Sequence, residues 1–249
     1  MIDKNKDEGL LIQAKSNPAL LDRLISTILQ SSLRRGDSVV EVGSEWGVFT
    51  WPILEIIGLS GQLWACEFSP AKIKNLLHKF KELGYVKGHI VPLLISDEDN
   101  LAVVYPDSDR PEDQQLLQAP STSGSVATLT TRLDRIVPDT LDVSLILVRL
   151  RTKGHKAFLG SFNLIKRTRS PVIFQCAYNE ELARGDINPE TILQMLSDCE
   201  YGLTTIFGGD INSADDFQSP APWYYLAYPI ERSVLFKKVL ERSLKLVFA

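Results

Sequence analysis

Apolar residues recur at helical spacing over residues 10–33. Leu20, Leu21, Leu24, Ile25, Ile28 and Leu29 fall on one face and predict an amphipathic helix covering a core. Gly36-Asp37 breaks that pattern, and Ser38–Val42 follows as a short apolar strand. Helical spacing returns over residues 46–58 through Phe49, Ile53, Leu54 and Ile57. Residues 62–67 read as the next strand, and Ser69-Pro70 supplies an N-cap and a first-turn proline for a helix running to about Leu83. The spacing then predicts strands over 89–95, 143–150 and 171–176, with helices over 155–167 and 189–199. Two more strands, 202–207 and 223–228, have no helical pattern between them, and a long amphipathic helix from Ile230 to about Leu246 follows.

Alternating strands and helices imply an α/β fold: a mainly parallel sheet with helices on both faces. The missing helix between the last two strands makes one of them antiparallel to the rest. No repeat or composition break forces a second domain. The expected organisation is a helical extension over residues 1–35 and one α/β domain over residues 36–249. Residues 105–126 are rich in Pro, Asp, Ser and Gln and read either as a surface loop or lid, or as a disordered segment. In the last helix, Val234, Leu235, Leu240, Leu244 and Val247-Phe248 form a stripe expected to face the core; an exposed apolar end would instead seed a homodimer.

Composition narrows the function classes. The chain has 249 residues, 44% of them hydrophobic, enough for one large domain. A net charge of -4 gives no electrostatic footprint for nucleic acid. No apolar run is long enough to span a bilayer. MIDKNKDEGL lacks the basic and apolar regions of a signal peptide, so a cytoplasmic protein is expected. Cys66, Cys176 and Cys199 show no CxxC pairing, and His78, His89 and His155 do not cluster. No metal site is expected, and the cysteines are expected to be reduced and buried.

The chemistry concentrates in VVEVGSEWGVFTW, residues 39–51. A glycine turn after the first strand lets backbone approach a ligand at the carboxyl edge of the sheet. A phosphate loop wants lysine and Ser/Thr after its glycines, or GxGxxG. Here Gly43 and Gly47 enclose Ser44, Glu45 and Trp46, and Glu41 stands just before them. Carboxylates there would repel a pyrophosphate and suit a cationic ligand. S-adenosylmethionine has a sulfonium, an ammonium and no phosphate. Glu67 ends the second strand 24 positions after Gly43, near the spacing of about 20 expected for an acid on ribose hydroxyls. Ser96-Asp97 ends the third strand at the edge expected to face adenine, or else caps a turn.

Together, GDSVVEVGSEWGVFT, LWACEFSP, LLISDEDN, TTRLDRIV and VSLILVRLRTKGHKAFLGS resemble the successive blocks of FkbM-type methyltransferases, class I enzymes that use S-adenosylmethionine. The resemblance covers roughly residues 36–176. It implies a seven-stranded Rossmann-like sheet with an antiparallel final hairpin, and methyl transfer to a hydroxyl of a sugar or other small metabolite. By that resemblance Glu41, Gly43, Ser44 and Gly47 form the first cofactor loop, Glu67 holds the ribose, and Ser96 and Asp97 lie by the adenine. Thr131 and Asp134 match the family's threonine-leucine-aspartate block, with Arg132 intruding.

The chain departs from the family after its fourth strand. Where the family reads isoleucine-aspartate-valine-glutamate-glycine, this chain has Val148-Arg149-Leu150-Arg151-Thr152. Arginine is always protonated and is no base. Strand alternation would put Arg149 and Arg151 on one face, where they would grip an anionic acceptor by bidentate hydrogen bonds, or else form salt bridges. His155 is the nearest histidine for a base role, or an exposed residue of the basic run 153–156. No catalytic residue is assigned. Two functions stand: an S-adenosylmethionine-dependent methyltransferase acting on a small-molecule acceptor, and a degenerate member that binds a ligand or partner without methyl transfer.

Overall fold

A computed structural model describes residues 4–17, 19–104, 126–150, 154–175, 188–217 and 224–248. Two helices open the chain, α1 (Lys4–Ser16) and α2 (Ala19–Ser32). The single helix expected over residues 10–33 is thus two, because Asn17-Pro18 interrupts it: proline lacks the amide proton a helix interior needs and restrains the residue before it. Then follow β1 (Ser38–Val42), α3 (Thr50–Ile57), β2 (Gln62–Cys66), α4 (Pro70–Glu82), β3 (Gly88–Val91) and β4 (Leu94–Ile95). The one strand expected over 89–95 is therefore two, divided at Pro92, which cannot donate to a strand ladder.

Next come β5 (Asn100–Val104), β6 (Val126–Thr131), α5 (Leu133–Ile136) and β7 (Leu145–Val148). The helix expected over 155–167 is α6 (Gly154–Leu159) and α7 (Phe162–Thr168), separated at Gly160-Ser161. The chain closes with β8 (Val172–Gln175), α8 (Pro189–Asp198), β9 (Tyr201–Thr205), β10 (Tyr224–Pro229) and α9 (Ser233–Val247). Asn188 caps α8 by accepting from the Thr191 amide. Residues 105–125, expected as a lid or disordered segment, lie outside the described residues, as do Arg151 and Cys176.

Seven strands form the main sheet in the order β3-β2-β1-β7-β8-β10-β9. β1, β2, β3, β7 and β8 run parallel, and β10 is antiparallel to β8 and β9. This is the expected Rossmann-like sheet with its antiparallel hairpin. A second sheet, β4-β6-β5, stands apart and has no counterpart in the sequence reading.

Alternation along the strands divides the core. Val39, Leu63, Leu147, Ile173 and Leu226 pack with α2, α3 and α9 on one face. Val40, Val42, Ile146, Val148 and Phe174 pack with α6, α7 and α8 on the other. Leu24, Ile25 and Leu29 of α2 are fully buried in that first layer. The last helix differs in part from expectation. Leu240, Leu244 and Val247 are buried with Phe236, but Val234 and Leu235 are exposed.

The order of strands sets the location of any ligand. From β1 the chain builds outward through β2 to β3, then crosses back to β7 on the other side of β1. The crevice between the carboxyl ends of β1 and β7 is the topological switch point, where open α/β sheets bind ligands.

Candidate functional site

Three loops meet at that crevice: the turn after β1, the turn after β2 and the residues after β7. The β1 turn is a tight structure. Gly43 and Gly47 have φ of +77° and +88°, a region open to glycine and costly to residues with a Cβ. A Cβ on Gly43 would strike the Arg149 carbonyl, and one on Gly47 would strike the Trp51 ring. Gly43 thus lets the β1 turn lie directly against the end of β7.

The amides of Gly43, Ser44, Glu45 and Gly47 are already engaged. Gly43 and Ser44 donate to the Cys66 carbonyl at 2.9 and 3.3 Å, and Gly47 donates to the Ser44 carbonyl at 2.8 Å. Glu45 donates to Glu67 Oε2 at 2.8 Å, while Phe68 and Ser69 donate to Glu67 Oε1 at 2.9 and 2.8 Å. A phosphate at this turn would have to displace a carboxylate that already fills its anion position. This is a hydrogen-bonding argument against a phosphate, separate from the electrostatic one.

Glu67 is 2% exposed. Burial raises its pKa, opposed by the Ser69 amide and by the charge of Lys72. An ionised carboxylate offers about four lone-pair sites. Three are taken by backbone amides, which leaves Oε2 with capacity for one ligand hydroxyl. Glu41 lies one strand over, on the face shared with Val39. Burial pushes its acid up to about 7, against the Thr50 hydroxyl, which donates to Oε2 at 2.6 Å, and the charge of Arg149. The Cys66 thiol is raised as well, by burial and then by Glu41 and Glu67, so it stays protonated and is no nucleophile.

In the turn after β4, Ser96 is buried, donates from its hydroxyl to Asp97 Oδ1 at 3.0 Å and donates its amide to the Thr131 carbonyl. Lys156 Nζ stands 3.8 Å from Asp97 Oδ1. These contacts fit a turn that still presents the half-exposed Asp97 carboxylate. Thr131 and Asp134 are engaged structurally. Thr131 donates to Asp99, and Asp134 accepts from the Leu164 amide and from Arg132 and Asn163, tying α5 to the start of α7.

The residues after β7 differ from expectation. β7 ends at Val148, so Arg149 lies just past the strand and the alternation expected to align it with Arg151 does not apply. Arg151 itself lies outside the described residues. The Arg149 amide donates to the Val42 carbonyl at 2.7 Å. Its guanidinium sits 5.0 Å from the Phe49 ring centroid and 3.2 Å from Glu45 Oε2, and it hydrogen-bonds Tyr224. Burial works against its charge, but Tyr224, Glu45 and Asp22 outweigh that, and its pKa is raised. Burial in turn pushes the Tyr224 hydroxyl up to about 12, which keeps it neutral. His155, expected as a base or an exposed residue, is only 3% exposed.

Four participants escaped the sequence reading: Thr50, Asp22, Tyr224 and the ion pair of Glu45. Thr50 was findable, since it opens the helix after the glycine turn. Asp22 and Tyr224 reach the crevice only through tertiary packing and carry no local signal. Among the described residues, no group of three or more His, Cys, Asp or Glu is placed to hold a metal ion, and no helix is long and apolar enough to cross a membrane.

No family model and no curated protein sequence matches the chain. Solved structures do. The methyltransferase FkbM of Methylobacillus flagellatus aligns at 12% identity with a TM-score of 0.51, over 80% of this chain and 47% of its own. The chain thus spans about half the length of that protein. A SAM-dependent O-methyltransferase of Thermotoga maritima aligns at 11% identity and TM-score 0.40, over 84% of this chain and 64% of its own. A Streptococcus mutans protein solved in complex with S-adenosylhomocysteine aligns at 9% identity and TM-score 0.47, over 82% and 95%. The chain has the Rossmann-like α/β fold of class I methyltransferases.

Proposed function

We propose that the chain binds S-adenosylmethionine at the β1–β7 crevice and transfers its methyl group to a hydroxyl of a small metabolite or sugar. The observation that carries this reading is the closed glycine turn: the amides of Gly43, Ser44, Glu45 and Gly47 are engaged within the protein, and the Glu67 carboxylate already occupies the anion position at the turn. Ser44 and Gly47 complete the turn. Such an acceptor set fits a ligand with hydroxyls and positive charge. The FkbM-like order of sequence blocks supports the same assignment.

The cofactor supplies an electrophilic methyl group: the acceptor oxygen bonds to the methyl carbon as the carbon–sulfur bond breaks, and that electron pair stays on sulfur. The chain's own part is chiefly positional. Glu67 accepts a ribose hydroxyl on its remaining Oε2 site. Ser96 and Asp97 offer acceptors toward the adenine amino group. Gly43 holds the β1 turn against β7, closing the crevice floor. The acceptor's proton leaves to a base outside these assignments.

The second reading, a binding protein without turnover, draws on the Glu45–Arg149 ion pair, which puts a cation where the family resemblance implies an acid. Titrating S-adenosylhomocysteine into the protein separates both from an unrelated function. Saturable binding supports a cofactor site, and label transfer from methyl-labelled cofactor then divides enzyme from binder. A cytoplasmic location and a homodimer through the exposed Val234 and Leu235 belong to this proposal. Light scattering on the purified chain tests the dimer.

A further inference from the structure

Arg149 and Glu45 face each other across the switch point from two different loops. Each is held by independent contacts. The Arg149 backbone is tied to β1 through Val42, and its guanidinium lies over Phe49 with 19% of the side chain exposed. The Glu45 backbone is tied to Glu67, and Glu45 has a φ of +48°, a left-handed conformation that is costly to a residue with a Cβ. Its side chain is 40% exposed. A charge pair whose two halves are anchored separately does not depend on the pair itself for its position.

We infer that Glu45 and Arg149 together read the amino-acid end of the cofactor, Glu45 receiving the α-ammonium and Arg149 the α-carboxylate. The inference rests on the proposed adenosyl-sulfonium site. An α-amino acid carries opposite charges on one carbon, and the pair offers the complementary charges with 3.2 Å between them. Inserting the zwitterion replaces one ion pair with two, so neither the largely buried guanidinium nor the partly exposed carboxylate is left alone. The guanidinium suits a carboxylate by bidentate hydrogen bonding. Glu67 accepts from the Glu45 amide, so the ribose-binding carboxylate fixes the backbone of the residue that carries the ammonium-binding one. Arg149 then serves the cofactor and not an anionic acceptor, which reverses the expectation from sequence.

The test is calorimetric titration of the full chain with two ligands: S-adenosylhomocysteine, and 5′-methylthioadenosine, which keeps the adenosine and sulfur but lacks the amino acid. Wild-type protein should prefer S-adenosylhomocysteine by about tenfold or more. Arg149→Met should remove most of that preference while leaving 5′-methylthioadenosine affinity within about threefold. Arg149→Lys should lose part of it, because a point charge cannot form the bidentate contact. Glu45→Gln supplies a second route should Arg149→Met fail to fold by circular dichroism, and it should also narrow the preference. Equal wild-type affinity for the two ligands, or variants that weaken both equally, would overturn the inference and leave the cofactor site standing. Binding of neither ligand to wild-type protein would overturn the proposed function and this inference with it.

Discussion

The two sides of the crevice are built on opposite plans. On the β1–β2 side, backbone amides converge on the buried Glu67 carboxylate, and glycines at positive φ bring the strand ends into contact. On the β7 side, a single guanidinium is held by a ring, a tyrosine and a partly exposed glutamate. The first is a scaffold whose geometry is fixed by backbone. The second is a charge whose partners are side chains. A rigid side suits the invariant part of a ligand, and a side-chain-built one can be changed without rebuilding the fold.

The largest expected effect lies on the rigid side. Glu67→Ala leaves three amides without their acceptor and should lower stability by about 4 kcal/mol, while abolishing adenosyl-ligand binding in calorimetry. Denaturant unfolding checks the first part. If Arg149→Met proved as damaging to the fold as Glu67→Ala, the contrast between the two sides would fail.

Next comes the pH response of Glu41. Its folded acid titrates near about 7, above its ordinary value, so the folded state binds the proton more tightly than the unfolded chain. The stabilisation is full at acid pH and is lost as pH rises through about 7. Wild-type protein should lose up to about 3 kcal/mol between pH 5 and pH 8. Glu41→Gln should flatten much of that slope, leaving a remainder from Glu67, whose pKa burial raises in the same direction. An unchanged slope in stability measured across this range would remove Glu41 from the account.

Gly47→Ala should cost about 2 kcal/mol, since its Cβ meets the Trp51 ring at a φ of +88°; thermal unfolding reads the shift. The smallest effect belongs to Glu45→Gly. It relieves a left-handed residue and removes a partly exposed ion pair, so the two changes nearly cancel and stability should rise by no more than about 1 kcal/mol. A loss of several times that would show that the Glu45–Arg149 pair is a structural clamp and that both sides of the crevice are scaffold.

The same contrast explains how much could be read in advance. β1, its glycine turn and Glu67 were legible because apolar run, turn residue and strand-end acid follow one another within a short span. The Asn188-Pro189 start of α8 was legible through its capping chemistry. The β4-β6-β5 sheet was not. VATLTT is short, half of it threonine, and it pairs with Asn100–Val104 across a long intervening segment. Arg149 was legible as a departure from a pattern, but its partners were not, because Tyr224 arrives from the far hairpin and Asp22 from a helix packed beneath the sheet. Strand order, which no local pattern encodes, makes them neighbours.

An S-adenosyl cofactor at the β1–β7 crevice, in place of a phosphate-bearing one, underlies all of these expectations. It is tested most directly by calorimetric titration of the full chain with S-adenosylhomocysteine, run beside NADH under the same conditions. Saturable binding of S-adenosylhomocysteine that Glu67→Ala abolishes, with no heat from NADH, is the predicted result. NADH binding, or no S-adenosylhomocysteine binding at millimolar ligand, would contradict it.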